Sequence, residues 1–175
     1  MPLGPDELEP LLRLALVQGV GPHRLARLVD LFGSADRVLA APQRALRGVP
    51  GIGPELARRL AEAGSEAAGR KARRALSRLN RLGARVLTPA DRFYPHPFKD
   101  LAEPPYLLFI LGEPAVLLEP IIAVVGKRLP TLYGKRAAAE LSADLALAGY
   151  VIASGLARGI DTAAHLGALE GGGST

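Results

Sequence analysis

The sequence predicts a mixed α and β protein in two parts: an all-helical domain over residues 1–84 and a parallel α/β sheet over residues 85–175. Three observations carry this. From residue 8 to 85 helical apolar periodicity alternates with glycine-rich turns, and no strand signal interrupts it. Beyond Gly83 come short apolar runs rich in β-branched residues, YLLFILGE, IIAVVGKR and YVIASG, each bounded by Gly or Pro. Helical patterns separate the last two runs, and strands buried on both faces of a parallel sheet lack polar alternation, as these do.

Taken in order, ELEPLLRLALV reads as the first helix, and HRLARLVDLFG as the second, ended by Gly33. Ser34 is placed to cap SADRVLAA, and PQRALRG supplies a further short turn of helix. PELARRLAEAG opens on Pro54, a residue suited to a helix start because its missing N–H is not needed there. The last and longest helix runs from Ser65 to Asn80 and stops at Leu82-Gly83. ARVLTPAD then reads as a strand and turn, and DRFYPHPFKDLAEPP is too rich in proline for regular structure.

Composition narrows the function classes. The apolar fraction of 49% and charged fraction of 22% fit a globular chain, and the absence of cysteine removes disulfides, thiolate metal sites and cysteine nucleophiles. No apolar run reaches the roughly 18 to 20 residues that span a bilayer, and MPLGPDELEP lacks the basic start of a secretory signal, so a cytoplasmic protein is expected. Charge is unevenly spread: residues 1–85 hold fifteen Lys or Arg against eight Asp or Glu, whereas residues 86–175 hold seven against nine. A basic first half suggests a polyanionic partner, although an Arg- and Ala-rich composition also follows from a GC-rich genome.

Within that basic half, GVGP at 19–22 recurs as GIGP at 51–54. Each glycine turn follows a short helix and opens another, leaving free amides at a helix start; the arrangement resembles a helix-hairpin-helix, a binder of DNA backbone. The second copy, with Gly51, Gly53 and Ala57, fits well, and the first departs at Leu25. The competing reading is a purely architectural way to pack short helices, as in sterile-alpha-motif-like domains. Further on, the spacing of Arg70, Arg74, Arg78, Arg81 and Arg85 predicts one basic helical face opposite an apolar stripe of Ala72, Leu76 and Leu79. That face is either a solvated exterior or an auxiliary phosphate-binding surface.

The second half carries the sharper signal. IIAVV runs into a loop containing Gly126, Lys127 and Arg128, and YVIA runs into SGLARGID; loops at the carboxyl ends of parallel strands form the ligand crevice of such sheets. Gly126 permits close backbone approach, Arg128 projects a forked guanidinium, and the amides of residues 154–160 are expected to converge with it on an anion. A hydrolytic triad of Ser154, Asp161 and His165 is disfavoured, because the sequence around Ser154, I-A-S-G-L, is no nucleophile elbow. Asp161 is instead expected to cap or charge the first helical turn, with His165 four residues on able to pair with it. His23, His96 and His165 lack ligand spacing, so neither a metal nor a cofactor is expected.

The run AVVGKR, then Tyr133-Gly134, SGLARGID, Ala164-His165, Ala168-Leu169 and Gly172-Gly173 with Thr175 resembles the DNA-processing protein A (DprA, or Smf) family. Tyr94-Pro95, Leu101, Pro104-Pro105 and Gly112 resemble the approach to that family's extended Rossmann domain, and the helical half resembles its sterile-alpha-motif-like domain. The resemblance implies a non-enzymatic protein that binds and protects single-stranded DNA and loads the RecA recombinase in natural transformation, a homodimer at full length. It implies a DNA site of Arg128 and the loop Ser154, Gly155, Leu156, Ala157 and Gly159, beside which the strand-end reading places Gly126. Lys127 departs from the small residue more usual there, and adds a cation compatible with anion binding. Aromatic residues are scarce, so much of the stacking surface for single-stranded bases is expected elsewhere.

Ending at GGGST, the chain reads as a sheet cut within its domain, with later strands, the dimer and RecA-contacting surfaces and any winged-helix-like domain outside it, and with an apolar sheet edge left seeking a partner. Two alternatives stand beside the leading one. GGGST resembles the glycine loop of lonely-guy-type nucleoside-phosphate hydrolases, and the glutamate those enzymes need after that loop would fall beyond Thr175, where this sequence stops. The helical half would otherwise be a protein-interaction module with solubilising arginines.

Overall fold

Local signals set the helical half. The computed structural model describes residues 3–175, in which α1 (Pro5–Ala15), α2 (Pro22–Phe32), α3 (Ala35–Ala40), α4 (Gln43–Arg47), α5 (Pro54–Glu62) and α6 (Glu66–Arg81) follow one another as the sequence predicts. Gly33 closes α2 in the left-handed region at φ 84°, a conformation glycine adopts without a Cβ penalty. Ser34 and Ser65 cap α3 and α6, their hydroxyls accepting the amides of Arg37 at 3.2 Å and Ala68 at 3.3 Å. The inward faces of these helices bury Leu14, Leu28, Val38, Leu46, Ala57 and Leu60 completely in one core. Arg13 ties α1 to the end of α5: its guanidinium donates to the carbonyls of Ala63 (2.9 Å) and Gly64 (3.0 Å), acceptors that the end of α5 leaves without helical partners, and to that of Ser65 (2.6 Å), the N-cap of α6.

The strands depart from the expected all-parallel sheet. β1 (Arg85–Leu87) pairs antiparallel with β2 (Leu108–Ile110), with Val86 opposite Phe109. The run YLLFILGE therefore does not join the parallel sheet: Tyr106 and Leu107, just before β2, pack against the helical core and hold the strand there. Between the two strands the proline-rich segment carries one short helix, α7 (His96–Lys99), and is anchored by buried Tyr94, whose hydroxyl donates to the carbonyl of Pro105 at 2.8 Å. The chain forms two compact units, one ending at Glu113 and the other spanning Pro114–Thr175. Strand-forming sequence begins at Arg85, but residues 85–113 fold with the helices because their apolar side chains are buried on that side.

In the second unit a 3-10 turn (Pro114–Leu118) leads to β3 (Ile121–Ala123), then α8 (Leu132–Leu147), β4 (Val151–Ala153) and α9 (Ile160–Glu170). β3 and β4 are parallel, with Ile122 opposite Ile152, and the amide of Val124 donates to the carbonyl of Ala153 at 2.9 Å. Ile152 is fully buried against Ala146, Ala164 and Ala168. α8 and α9 approach closely through small residues: Gly167 lies on the backbone of Ala139 and Gly171 on that of Ala143, each nearer than any Cβ allows. On the far side of β4, the amide of Ile152 donates to Ser174 (3.1 Å) and the hydroxyl of Thr175 donates to Ile152 (2.7 Å), so the GGGST segment lies along that edge.

Candidate functional site

The loops leaving β3 and β4 meet backbone to backbone. Gly126 sits against the side chain of Ile160, where a Cβ would lie 2.6–2.9 Å from three of its carbons. Gly159 has φ 97° and lies against the carbonyls of Lys127 and Arg128, and the amide of Ile160 donates to the carbonyl of Lys127 at 3.2 Å. Both glycines are required here: one by close approach, the other by that and by a backbone conformation that L side chains rarely adopt. Thr131 caps α8 by accepting the amide of Gly134 at 3.1 Å, and a Cβ on Gly134 would lie 3.7 Å from the same Ile160 side chain. The first turns of α8 and α9 and both loops are thus gathered around one residue.

The expected amide cradle is differently occupied. The carboxylate of Asp161, in a residue only 8% exposed, accepts the amides of Gly155 (3.1 Å) and Ala157 (3.4 Å), so these two amides are already paired with an anion from the chain itself. Asp161 therefore caps the preceding loop and not its own helical turn. Ser154 donates its hydroxyl to the carbonyl of Val124 at 2.6 Å, stitching the two loops together. His165 does not pair with Asp161; its Nδ1 meets the hydroxyl of Thr175, which also contacts Ile152. The three residues that could have made a triad are each engaged with a different partner.

What the junction offers outward is positive charge. Lys127 and Arg128 are exposed on one loop and Arg158 on the other, and none has a carboxylate partner among the described residues. Arg158 is a cation that residue pattern alone does not single out; its signal is its place in SGLARGID, one residue before the glycine that lies against Arg128. Among the described residues no group of His, Cys, Asp and Glu is arranged to hold a metal ion, and no helix is long and apolar enough to cross a membrane.

The helical unit presents its own features. Gly19 and Gly51 share the left-handed conformation, φ 98° and 84°, while Gly21 and Gly53 are extended caps followed by Pro22 and Pro54 at helix starts. The two glycine turns have the same construction, and Leu25 and Ala57 occupy equivalent buried positions despite their difference in size. Arg70, Arg74, Arg78 and Arg81 lie exposed on α6, with Arg70 near Glu66 at 3.9 Å. Arg85 does not extend this face. The helix ends at Arg81, Gly83 turns the chain at φ 66°, and Arg85 opens β1 with its guanidinium 4.0 Å from Glu113. Leu76 and Leu79, on the opposite side of α6, line a cavity of about 600 Å³ with Leu8, Val86, Leu87 and Phe93.

This pairing of a glycine-turn helical unit with two strand-end loops is matched in known proteins. The sequence profile of DNA recombination-mediator protein A matches residues 85–175, more than half of the chain. The chain belongs to the DNA recombination-mediator protein A family. A profile for a SAM-like helix-hairpin-helix tandem matches residues 11–66 and 43–85, spanning both glycine turns. The chain is similar to Protein Smf of Synechocystis, 31% identical over 163 residues that cover 91% of this chain and 40% of that protein. It is similar to DNA processing protein DprA of Bacillus subtilis, 34% identical over 58% of this chain and 35% of that one, and to its Streptococcus pneumoniae counterpart, 41% identical over 49% and 30%. The crystal structure of DNA processing protein A from Streptococcus pneumoniae matches with a TM-score of 0.61 over 99% of this chain and 56% of that one, at 24% identity, a likeness of fold. This member of the DNA recombination-mediator protein A family spans less than half the length of the curated relatives it matches. Its two profile matches meet at residue 85, the start of β1.

Proposed function

We propose that the junction of the 124–130 and 154–160 loops binds single-stranded DNA through its phosphates, with Lys127, Arg128 and Arg158 supplying the charge. The observation that carries this is the backbone contact of Gly159 with Lys127 and Arg128, which brings three exposed, unpaired cations onto one rigid platform. Because Asp161 already occupies the Gly155 and Ala157 amides, the guanidinium and ammonium groups, and not those amides, meet the phosphates. Gly126, Gly155 and Gly159 act as packing residues, and Ser154 as the stitch between loops. The names of the relatives, DNA processing proteins, support the reading. It is a non-catalytic role, since Ser154, Asp161 and His165 are separately engaged. The hydrolase alternative is disfavoured because Gly171 and Gly173 of the glycine loop are pressed onto Ala143 and Ala146 of α8. At the level of the whole protein, the reading extends to a cytoplasmic homodimer that protects incoming DNA and hands it to RecA.

Fluorescence anisotropy with oligo-dT and a matched duplex at two salt concentrations tests the proposal. The chain is expected to prefer the single strand, and Arg128→Ala to weaken it about tenfold and lower the salt slope by roughly 0.7, the share of one phosphate contact on a single strand. Unchanged binding by Arg128→Ala, or no binding at all, counts against it.

A second, auxiliary surface is favoured by the matched geometry of the two glycine turns and by Arg74, Arg78 and Arg81, which have no carboxylate partner among the described residues. In this reading the turns at Gly19 to Gly21 and Gly51 to Gly53 and the α6 face hold backbone phosphate. Reversing the charge of these three arginines is expected to weaken binding with Arg128 intact; no change would leave the face as a solvated exterior or a docking surface for protein.

A further inference from the structure

The platform carries more than charge. Leu156 is the one non-glycine residue with a positive φ among the described residues, at 55°, and its side chain is 84% exposed. A leucine gains nothing locally from either condition: the left-handed region is disfavoured for a branched apolar residue, and exposure forgoes burial. The conformation is held in place by its neighbours, since the amides of Gly155 and Ala157 on either side are both bound by the buried carboxylate of Asp161. An apolar side chain is thus fixed in an outward pose by a buried anion, an expenditure of strain that points to a surface role.

A second apolar group stands on the same platform. Tyr133 is 81% exposed on the first turn of α8, next to Gly134, where a Cβ would come to 3.7 Å from the Ile160 side chain that fills the space at Gly126. Leu129, in the loop that carries Arg128, is 91% exposed. Cations interleaved with a rigid aromatic ring and a fixed aliphatic side chain are the chemistry that holds a single strand, in which each phosphate brings an unpaired base with an apolar face.

Resting on the reading of the loop junction as a single-strand site, we propose that Tyr133 and Leu156 form its nucleobase-contacting walls, Tyr133 by stacking and Leu156 as a wedge against a base or sugar. The site then distinguishes single strands from duplexes by requiring exposed base faces, and charge alone does not set the preference.

The test compares oligo-dT with an abasic oligomer of the same length and charge, using wild type, Tyr133→Ala, Leu156→Ser and Arg128→Ala, with thermal melts to verify folding. Wild type is expected to bind oligo-dT more tightly than the abasic strand. Each of Tyr133→Ala and Leu156→Ser should lower affinity for oligo-dT about tenfold while leaving abasic affinity within about twofold. Arg128→Ala should weaken both probes alike. If wild type and Arg128→Ala behave so but the dT-to-abasic ratio is untouched by the two apolar variants, the base-wall proposal falls and phosphate binding stands. Equal loss on both probes in the apolar variants also overturns it, as does a ratio unchanged while binding to anionic vesicles becomes Leu156-dependent. Failure of wild type to bind either probe overturns both readings.

Discussion

The side chain of Ile160 occupies the volume that a Cβ on Gly126 would need, with its Cβ, Cγ1 and Cγ2 all within 2.9 Å of that position. One helix start is thereby keyed into the loop of the neighbouring strand, and the cations on both loops are fixed relative to each other. Gly126→Ala is expected to cost about 1–3 kcal/mol by overpacking and to reduce single-strand affinity with it. Adding Ile160→Ala should recover part of the stability, since the branch atoms of Ile160 supply two of the three close contacts. Urea unfolding of the single and double variants measures both effects.

Asp161 is the support of the second loop. Asp161→Ala leaves two loop amides without their acceptor, and a loss of about 2 kcal/mol is expected, with Asp161→Asn retaining part of it through its remaining carbonyl oxygen. Amide hydrogen exchange at Gly155 and Ala157 should accelerate in both variants, more so in the alanine.

At the crossing of α8 and α9, a Cβ on Gly167 would meet the backbone carbonyl of Ala139, which cannot swing aside as a side chain can. Gly167→Ala is therefore expected to destabilise the second unit by at least about 2 kcal/mol, more than Gly172→Ala, where the space is open and only the φ of 72° resists. Thermal melts of the two variants provide the comparison.

Glu55, in the first turn of α5, sits between Arg58 at 2.7 Å and Arg59 at 3.0 Å, and the hydrogen bond from Arg58 lowers its pKa from 4.5 to about 2. A carboxylate whose pKa falls on folding stabilises the fold above its unfolded value and loses that contribution on protonation. The difference in melting temperature between wild type and Glu55→Gln should thus be constant above about pH 5, shrink as pH falls from 4.5 toward 2, and be reduced by salt because the pair is exposed.

Much of this architecture was legible residue by residue. Ser34, Ser65, Gly33, Pro22 and Pro54 mark helix ends through interactions that reach no further than three or four positions, and the helices begin and end where those residues stand. The convergence of the Arg128 loop with the SGLARGID loop was legible too, because parallel strands joined by a helix place their following loops side by side. Less was legible where a residue had a choice of distant partners. Leu108–Ile110 is strand-forming sequence, but its antiparallel partner was decided by where Tyr106 and Leu107 could be buried. Arg85 shares the spacing of the α6 arginines yet lies beyond the turn at Gly83 that ends their helix.

The sequence by itself determined the helical half, its repeated glycine turns, the two strand-loop-helix units and the cations they carry, because period, caps and turn chemistry act over a few residues. Only the tertiary structure decided that Asp161 would turn back to hold Gly155 and Ala157, that His165 would find Thr175 in place of Asp161, and that Leu156 would be held outward. The physical reason is that a carboxylate, an imidazole or a strained leucine takes its meaning from whichever groups the packed chain brings within about 3 Å, and hydrogen bonds of that reach are not encoded in spacing along the chain.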